Sequence, residues 1–92
     1  MIINVKNGRD IITLDFQLNQ IRYCRNIAEH GPIEFLNQSE TIMSCYKILY
    51  AHPGRKSFFE SLAEDMEHDV GIPIDPTKLK VITDKEYLEV FK

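Results

Sequence analysis

Residues 1–16 read MIINVKNGRDIITLDF, and this stretch decides the fold because residues 2–16 are predicted to form a β-hairpin. Apolar and polar residues alternate on both sides of Asn7-Gly8, a dipeptide that tolerates the positive φ angles of a tight hairpin turn. With these two residues as the loop, the predicted register pairs Val5 with Asp10. One face of the hairpin is then apolar, as a sheet with one buried face requires. That face carries Met1, Ile3, Val5, Ile12, Leu14 and Phe16.

Two helices are predicted after the hairpin. The first covers residues 17–30 and ends at Gly31-Pro32, because glycine suits the end of a helix and proline cannot continue it. The second covers residues 39–51, with a start near residue 33 as the alternative, and ends at His52-Pro53-Gly54. Both predictions depend on apolar stripes at helical spacing. The stripes are Leu18, Ile21, Cys24, Ile27 and Ala28 in the first helix, and Ile42, Cys45, Tyr46 and Leu49 in the second.

A third helix is predicted from Ser57 to Gly71, and its two sides differ strongly in character. Ser57 and Glu60 match a capping box, in which each residue satisfies a backbone N–H at the start of the helix. The apolar side, predicted to pack on the core, carries Phe59, Leu62, Ala63, Met66 and Val70. The opposite side is acidic and carries Glu60, Glu64, Asp65, Glu67 and Asp69.

The remaining chain completes a predicted α+β fold. Residues 79–83 are predicted to form a short strand, the third of the sheet, and Thr83 with Glu86 matches a second capping box. That box would begin a last helical turn or two, packed through Tyr87, Leu88 and Phe91. We therefore expect one domain over residues 1–92. It would be a small three-stranded, mainly antiparallel sheet, the N-terminal hairpin plus the C-terminal strand, with three to four helices packed on one face.

Composition narrows the class of function. The 92 residues suffice for one modest core, and 14 acidic against 11 basic residues do not favour a nucleic-acid binder. Cys24 and Cys45 are interpreted as buried free thiols rather than as a disulfide, which fits a reducing compartment. No apolar run is long enough for a signal peptide or a membrane helix. A cytoplasmic location without membrane association is expected.

No motif fixes a chemistry. His68 lies close in sequence to Glu64 and Asp69, and such carboxylates can orient an imidazole for acid–base catalysis. A solvated surface pair explains the same spacing and is the commoner arrangement. The cysteines and histidines do not have the spacing of a zinc site, and no glycine-rich phosphate loop occurs. We therefore expect no enzyme, no metal and no cofactor.

The leading hypothesis is a non-catalytic protein-binding module that inhibits or adapts a larger protein with a basic surface. Small immunity proteins and inhibitors from mobile elements have this character. The acidic helix face would be the contact surface, and a purely solubilising role is its alternative.

A dimeric nucleic-acid-binding or regulatory protein is the second hypothesis, and an enzyme with a site around His68 is the third. A homodimer could form by strand pairing at the open edge of the small sheet, and a small apolar patch at Ile2 and Ile11 is a separate indication of self-association or of a partner. The basic residues that would have to converge on nucleic acid are Arg9, Arg22, Arg25, Lys47, Lys78 and Lys80.

Overall fold

A five-stranded antiparallel sheet forms the centre of the computed structural model, which describes residues 1–26, 33–36 and 38–90 except for the Val90 side chain. The strands are β1 (Ile2–Asn7), β2 (Asp10–Asp15), β3 (Gln20–Cys24), β4 (Ile33–Leu36) and β5 (Leu79–Ile82). The helical elements are α1 (Glu40–Ala51), α2 (Arg55–Asp65), a π-helical turn (Met66–Val70), a 3-10 turn (Pro76–Lys78) and α3 (Asp84–Val90). The order across the sheet is β4-β3-β2-β1-β5. The α+β class is confirmed, but the predicted three-stranded sheet is wrong.

The N-terminal hairpin forms as predicted, but its register differs by two residues. Asp10 pairs with Asn7 rather than with Val5, so the chain turns through Gly8 and Arg9. Gly8 has a φ of 62° and Arg9 does not have a positive φ, as expected for a type II′ turn with glycine first. Because side chains alternate with a period of two, this shift leaves every strand residue on its predicted face.

The predicted helix over residues 17–30 is wrong where the structure describes it. The Asp15 carboxylate accepts hydrogen bonds from the backbone N–H groups of Gln17 and Leu18, both at 3.1 Å. Asn19 follows with a φ of 50°, a left-handed conformation that asparagine tolerates better than most residues. These contacts reverse the chain, and it returns as β3 beside β2.

The apolar residues that suggested this helix, where the structure describes them, lie instead in a strand and in the turn before it. Ile21 and Cys24 lie on opposite faces of β3, since Ile21 belongs to the main core and Cys24 to a smaller cluster on the other side of the sheet. Leu18 lies in the turn and is 68% exposed. The rest of the predicted helix at residues 27–30, and its end at Gly31-Pro32, lie outside the described residues.

The second predicted helix is confirmed with its later start. Residues 33–36 form β4, so a helix beginning near residue 33 is wrong. The Ser39 hydroxyl caps α1 by accepting a hydrogen bond from the backbone N–H of Ile42 at 3.2 Å, and the helix ends before His52. Along α1 the buried side chains are Met43 and Tyr46.

Both cysteines are free thiols, but only one is buried. Cys24 is buried in β3, and its pKa is raised by that burial. Cys45 is exposed on α1, so the predicted burial of this residue is wrong. The apolar side of α1 is therefore rotated from Cys45 toward Met43.

The third predicted helix is present with a different start. α2 begins at Arg55 after Gly54, which supplies no side-chain cap, so the capping box of Ser57 and Glu60 is wrong. A π-helical turn follows α2, and Gly71 ends it as predicted, with a φ of 75°. The side chains after Asp65 therefore point in other directions than the predicted continuous α-helix would give them, because a π turn has more residues per turn.

Helices cover both faces of the sheet, so the prediction that they all pack on one face is wrong. α3 lies on the face opposite α1 and α2, where Tyr87 packs against Ile11, Cys24 and Ile82. Ile11 is therefore buried, and the predicted solvent-side patch of Ile2 and Ile11 does not form. The main core on the other face includes Ile3, Val5, Ile12, Leu14, Ile21, Tyr23, Met43, Tyr46, Phe58, Leu62 and Met66.

The C-terminal capping box is confirmed. The backbone N–H of Glu86 donates to the Thr83 hydroxyl oxygen, and the N–H of Thr83 donates to the Glu86 carboxylate, both at 3.2 Å. The predicted strand before this box is also present as β5, although it is the fifth strand rather than the third. Leu88 is exposed rather than packed, and Phe91 lies outside the described residues.

Candidate functional site

The five carboxylates predicted to form a docking face are called here the acidic surface. α2 carries three of them and the π-helical turn carries two. All are exposed except Asp65, which is half-buried. The residues are Glu60, Glu64 and Asp65 on α2, and Glu67 and Asp69 in the π-helical turn.

Asp65 has a structural role that the other four residues lack. Its carboxylate accepts a 2.6 Å hydrogen bond from the hydroxyl of Tyr46 on α1. Burial of Tyr46, and then this hydrogen bond, raise the pKa of the Tyr46 hydroxyl well above its usual range. Asp65 therefore joins the two helices and is only partly available to a partner.

Asp69 is paired with its sequence neighbour. The Nδ1 atom of His68 lies 3.0 Å from the Asp69 carboxylate, and the hydrogen bond to Asp69 raises the pKa of His68. The His68 side chain is 86% exposed, so water surrounds the ring. This arrangement is a solvated surface pair, and it does not enclose a substrate.

Glu60 has a cationic neighbour. The Lys56 ammonium lies 3.9 Å from its carboxylate, one helical turn away, and 91% of the Lys56 side chain is exposed. Ion pairs as open as this one contribute little to stability, because water screens both charges. Glu60 is therefore free to exchange Lys56 for a partner's cation.

A groove of about 260 Å³, apolar on its α1 side, lies between α1 and α2. Ile42 and Leu49 line it from α1, and Glu64 lines it from α2. Ile42 and Leu49 are half-buried, so their outer surfaces remain in contact with water. Glu64 thus lies at the border between exposed apolar surface and solvent.

A second groove, of about 340 Å³, lies between α2 and the segment that leads into β5. Phe59 and Glu60 line it from α2, and Pro76 and Leu79 line the other side. Apolar side chains therefore flank the acidic surface on both sides of α2. Glu60 lies beside one groove and Glu64 lies beside the other. Neither groove was predicted from the sequence, because each is formed between α2 and another segment of the chain.

The basic residues of the nucleic-acid hypothesis are partly neutralised. Arg25 lies 2.9 Å from Glu34, and Lys80 lies 3.8 Å from Glu86. The Nε atom of Arg22 is buried on the α3 side of the sheet. These three cations are therefore less available to phosphate groups than their number in the sequence suggests.

In the part of the chain that the structure describes, no three histidine, cysteine or acidic side chains come together as metal ligands. Among the same residues, no helix has the length and apolar character needed to cross a bilayer. The chain matches no protein-family model, and neither curated proteins nor solved structures gave a match.

Proposed function

We propose that this chain is a small non-catalytic protein-binding module that inhibits or adapts a larger protein with a basic surface. The observation that carries the proposal is the position of Glu60 and Glu64, which are exposed and border apolar grooves on either side of α2. A complementary partner would present lysine or arginine next to apolar side chains, the mixture that protein interfaces use.

The charges and the grooves would contribute differently to binding. The net charge of −3 and the acidic surface would speed association with a basic partner, and salt would weaken this effect. Ile42, Leu49 and Phe59 would supply apolar area that slows dissociation once the partner is seated. We place this activity in the cytoplasm, because free cysteines fit a reducing compartment.

The test is affinity capture of the tagged chain from source-cell lysate, with and without nuclease, using two charge-reversal variants. Glu64→Lys with Glu67→Lys alters the acidic surface and leaves Asp65 bonded to Tyr46. Glu40→Lys with Glu89→Lys makes the same change in net charge at exposed positions on α1 and α3. A partner lost by the first variant and kept by the second supports the proposal.

Two other outcomes contradict the proposal. A protein partner that binds both variants equally would remove the acidic surface from the interface. Recovery that depends on nucleic acid would instead favour the dimeric nucleic-acid-binding alternative. Where a partner is captured, its association rate should fall with added salt, and the slope should be shallower for the Glu64→Lys, Glu67→Lys variant.

A further inference from the structure

The two outer strands of the sheet, β4 and β5, differ in how they are protected. In the part of the chain that the structure describes, each of them has no strand neighbour on one side. Natural proteins commonly place lysine on such strands to prevent pairing with another chain. β5 follows this rule, since Lys80 lies within it and Lys78 precedes it, both exposed. β4 has the sequence Ile-Glu-Phe-Leu and contains no basic residue.

The β4 edge is apolar and locally neutral. Phe35 is 64% exposed and Ile33 is 53% exposed, and both lie on the α3 side of the sheet. The single charge of the strand, Glu34, lies 2.9 Å from the Arg25 guanidinium. Among the described residues, β4 has no strand neighbour on its outer side, so an incoming strand would meet its outer backbone edge and two exposed apolar side chains, without an unbalanced charge.

We propose that β4 pairs antiparallel with β4 of a second copy of this chain, which joins the two sheets into one. A strand that pairs with itself in this way forms a closed two-fold interface, so assembly stops at the dimer. The acidic surface does not oppose this pairing. α2, which carries Glu60, Glu64 and Asp65, packs against the Pro76–Lys78 turn that precedes β5, the strand at the opposite edge of the sheet.

The pairing register follows from the faces of the strand. In a continuous sheet, residues opposite each other lie on the same face, so a two-fold axis near the middle of β4, where the paired length is greatest, places either Glu34 or Phe35 opposite its own copy. Two glutamates facing each other would repel, whereas an aromatic pair across strands is stabilising. The register with Phe35 opposite Phe35 is therefore favoured.

This interface is small, because one short strand and two apolar side chains bury less surface than a standard protein–protein contact. We expect a reversible dimer that forms as protein concentration rises. Sedimentation velocity over a concentration series should show it. Phe35→Lys should abolish the dimer, because each copy would place a lysine opposite a lysine. Ile48→Lys is the matched control, since Ile48 on α1 is 60% exposed.

Cysteine cross-linking tests the register without a change of charge. In a Cys24→Ala, Cys45→Ser background, which removes both native thiols, including Cys24 directly opposite residue 33, Phe35→Cys should give a covalent dimer under mild oxidation. Ile33→Cys should not, because the two copies of residue 33 would lie about 13 Å apart along the paired strands. Circular dichroism of each variant checks that it folds.

Three results would overturn the proposal: a monomer at every concentration, a dimer that Phe35→Lys leaves intact, or cross-linking that is equal at positions 33 and 35. The inference does not rest on the proposed function. A chain that stays monomeric could still bind a basic partner through Glu64 and Glu67 and lose it when these charges are reversed. Failure of the dimer proposal is therefore distinguishable from failure of the proposed function.

Discussion

The hydroxyl of Tyr46 on α1 donates a 2.6 Å hydrogen bond to the carboxylate of Asp65 on α2. The Tyr46 ring is buried and packs edge-on against Phe58, with ring centroids 6.1 Å apart. One side chain thus anchors the core and sets the position of the helix that carries the acidic surface.

Replacement of Tyr46 by phenylalanine should lower the free energy of unfolding by about 1 to 2 kcal/mol, since it removes a hydrogen bond to a carboxylate and keeps the ring. Tyr50→Phe is the matched control, because the Tyr50 ring also packs on Phe58, at 5.7 Å, and Tyr50 is half-buried. We expect the control to change stability less. Urea unfolding of both variants measures the difference, and equal losses would contradict a role for the Asp65 bond.

Stability should fall at alkaline pH, in part through Tyr23. Burial, and then the hydrogen bond to Asp10, raise the pKa of Tyr23 from 10.0 to about 12. The unfolded chain loses this proton first, so the contribution is complete below pH 10 and decreases as the pH rises toward about 12. Relative to neutral pH, this residue alone should cost about 1 kcal/mol near pH 11.

Tyr23→Phe tests this linkage. The variant should be less stable than the wild type at neutral pH, because it loses the bond to Asp10. The difference between the two proteins should then narrow as the pH rises, because only the wild type has the Tyr23 proton to lose. Urea unfolding at several pH values measures the difference, and a constant gap would show that Tyr23 does not titrate differently in the folded chain.

Three local signals in the sequence predicted local structure correctly, although the capping box of Ser57 and Glu60 did not. The Asn7-Gly8 dipeptide indicated a hairpin, Gly71 ended its helix, and Thr83 with Glu86 formed the expected capping box. Each of these features depends on a few adjacent residues whose conformational preferences are visible in the sequence. The predicted hairpin register was wrong by two residues, because Gly8 alone supplies the positive φ of the turn and Asn7 remains in the strand.

Features that depend on distant partners were not visible in the sequence. The stripe through Ile21 and Cys24 fits a helix by spacing, yet β2 and β4 pair with this segment and make it a strand. In the candidate site, helical periodicity correctly indicated that four of the five carboxylates are exposed, whereas Asp65 is half-buried. The bond from Tyr46 to Asp65 spans nineteen residues of sequence, and helical periodicity does not reveal it.

The two proposed capping boxes give opposite expectations for alanine substitution. Thr83→Ala removes the hydroxyl that accepts from the Glu86 N–H, and it should cost about 1 kcal/mol. Ser57→Ala should cost little, because Ser57 lies inside α2 and does not cap it. Hydrogen exchange should show faster opening of residues 84–90 only in Thr83→Ala. Similar losses in both variants would contradict the assignment of the helix starts.

Gly71 should be far less tolerant of substitution than Gly54. An added Cβ at Gly71 meets no atom within 4 Å, so the cost of Gly71→Ala comes from its φ of 75° and should be about 1 to 2 kcal/mol. Asparagine tolerates this conformation better than alanine, so Gly71→Asn should lose less stability than Gly71→Ala.

Gly54 is the control. It has a φ of −93°, and an added Cβ there would lie 3.8 Å from the Ser57 hydroxyl, an ordinary contact. Gly54→Ala should therefore stay within about 0.5 kcal/mol of the wild type. Thermal and urea unfolding of the three variants would establish the order. If Gly71→Ala were as stable as Gly54→Ala, backbone strain could not be the reason that glycine ends the π-helical turn.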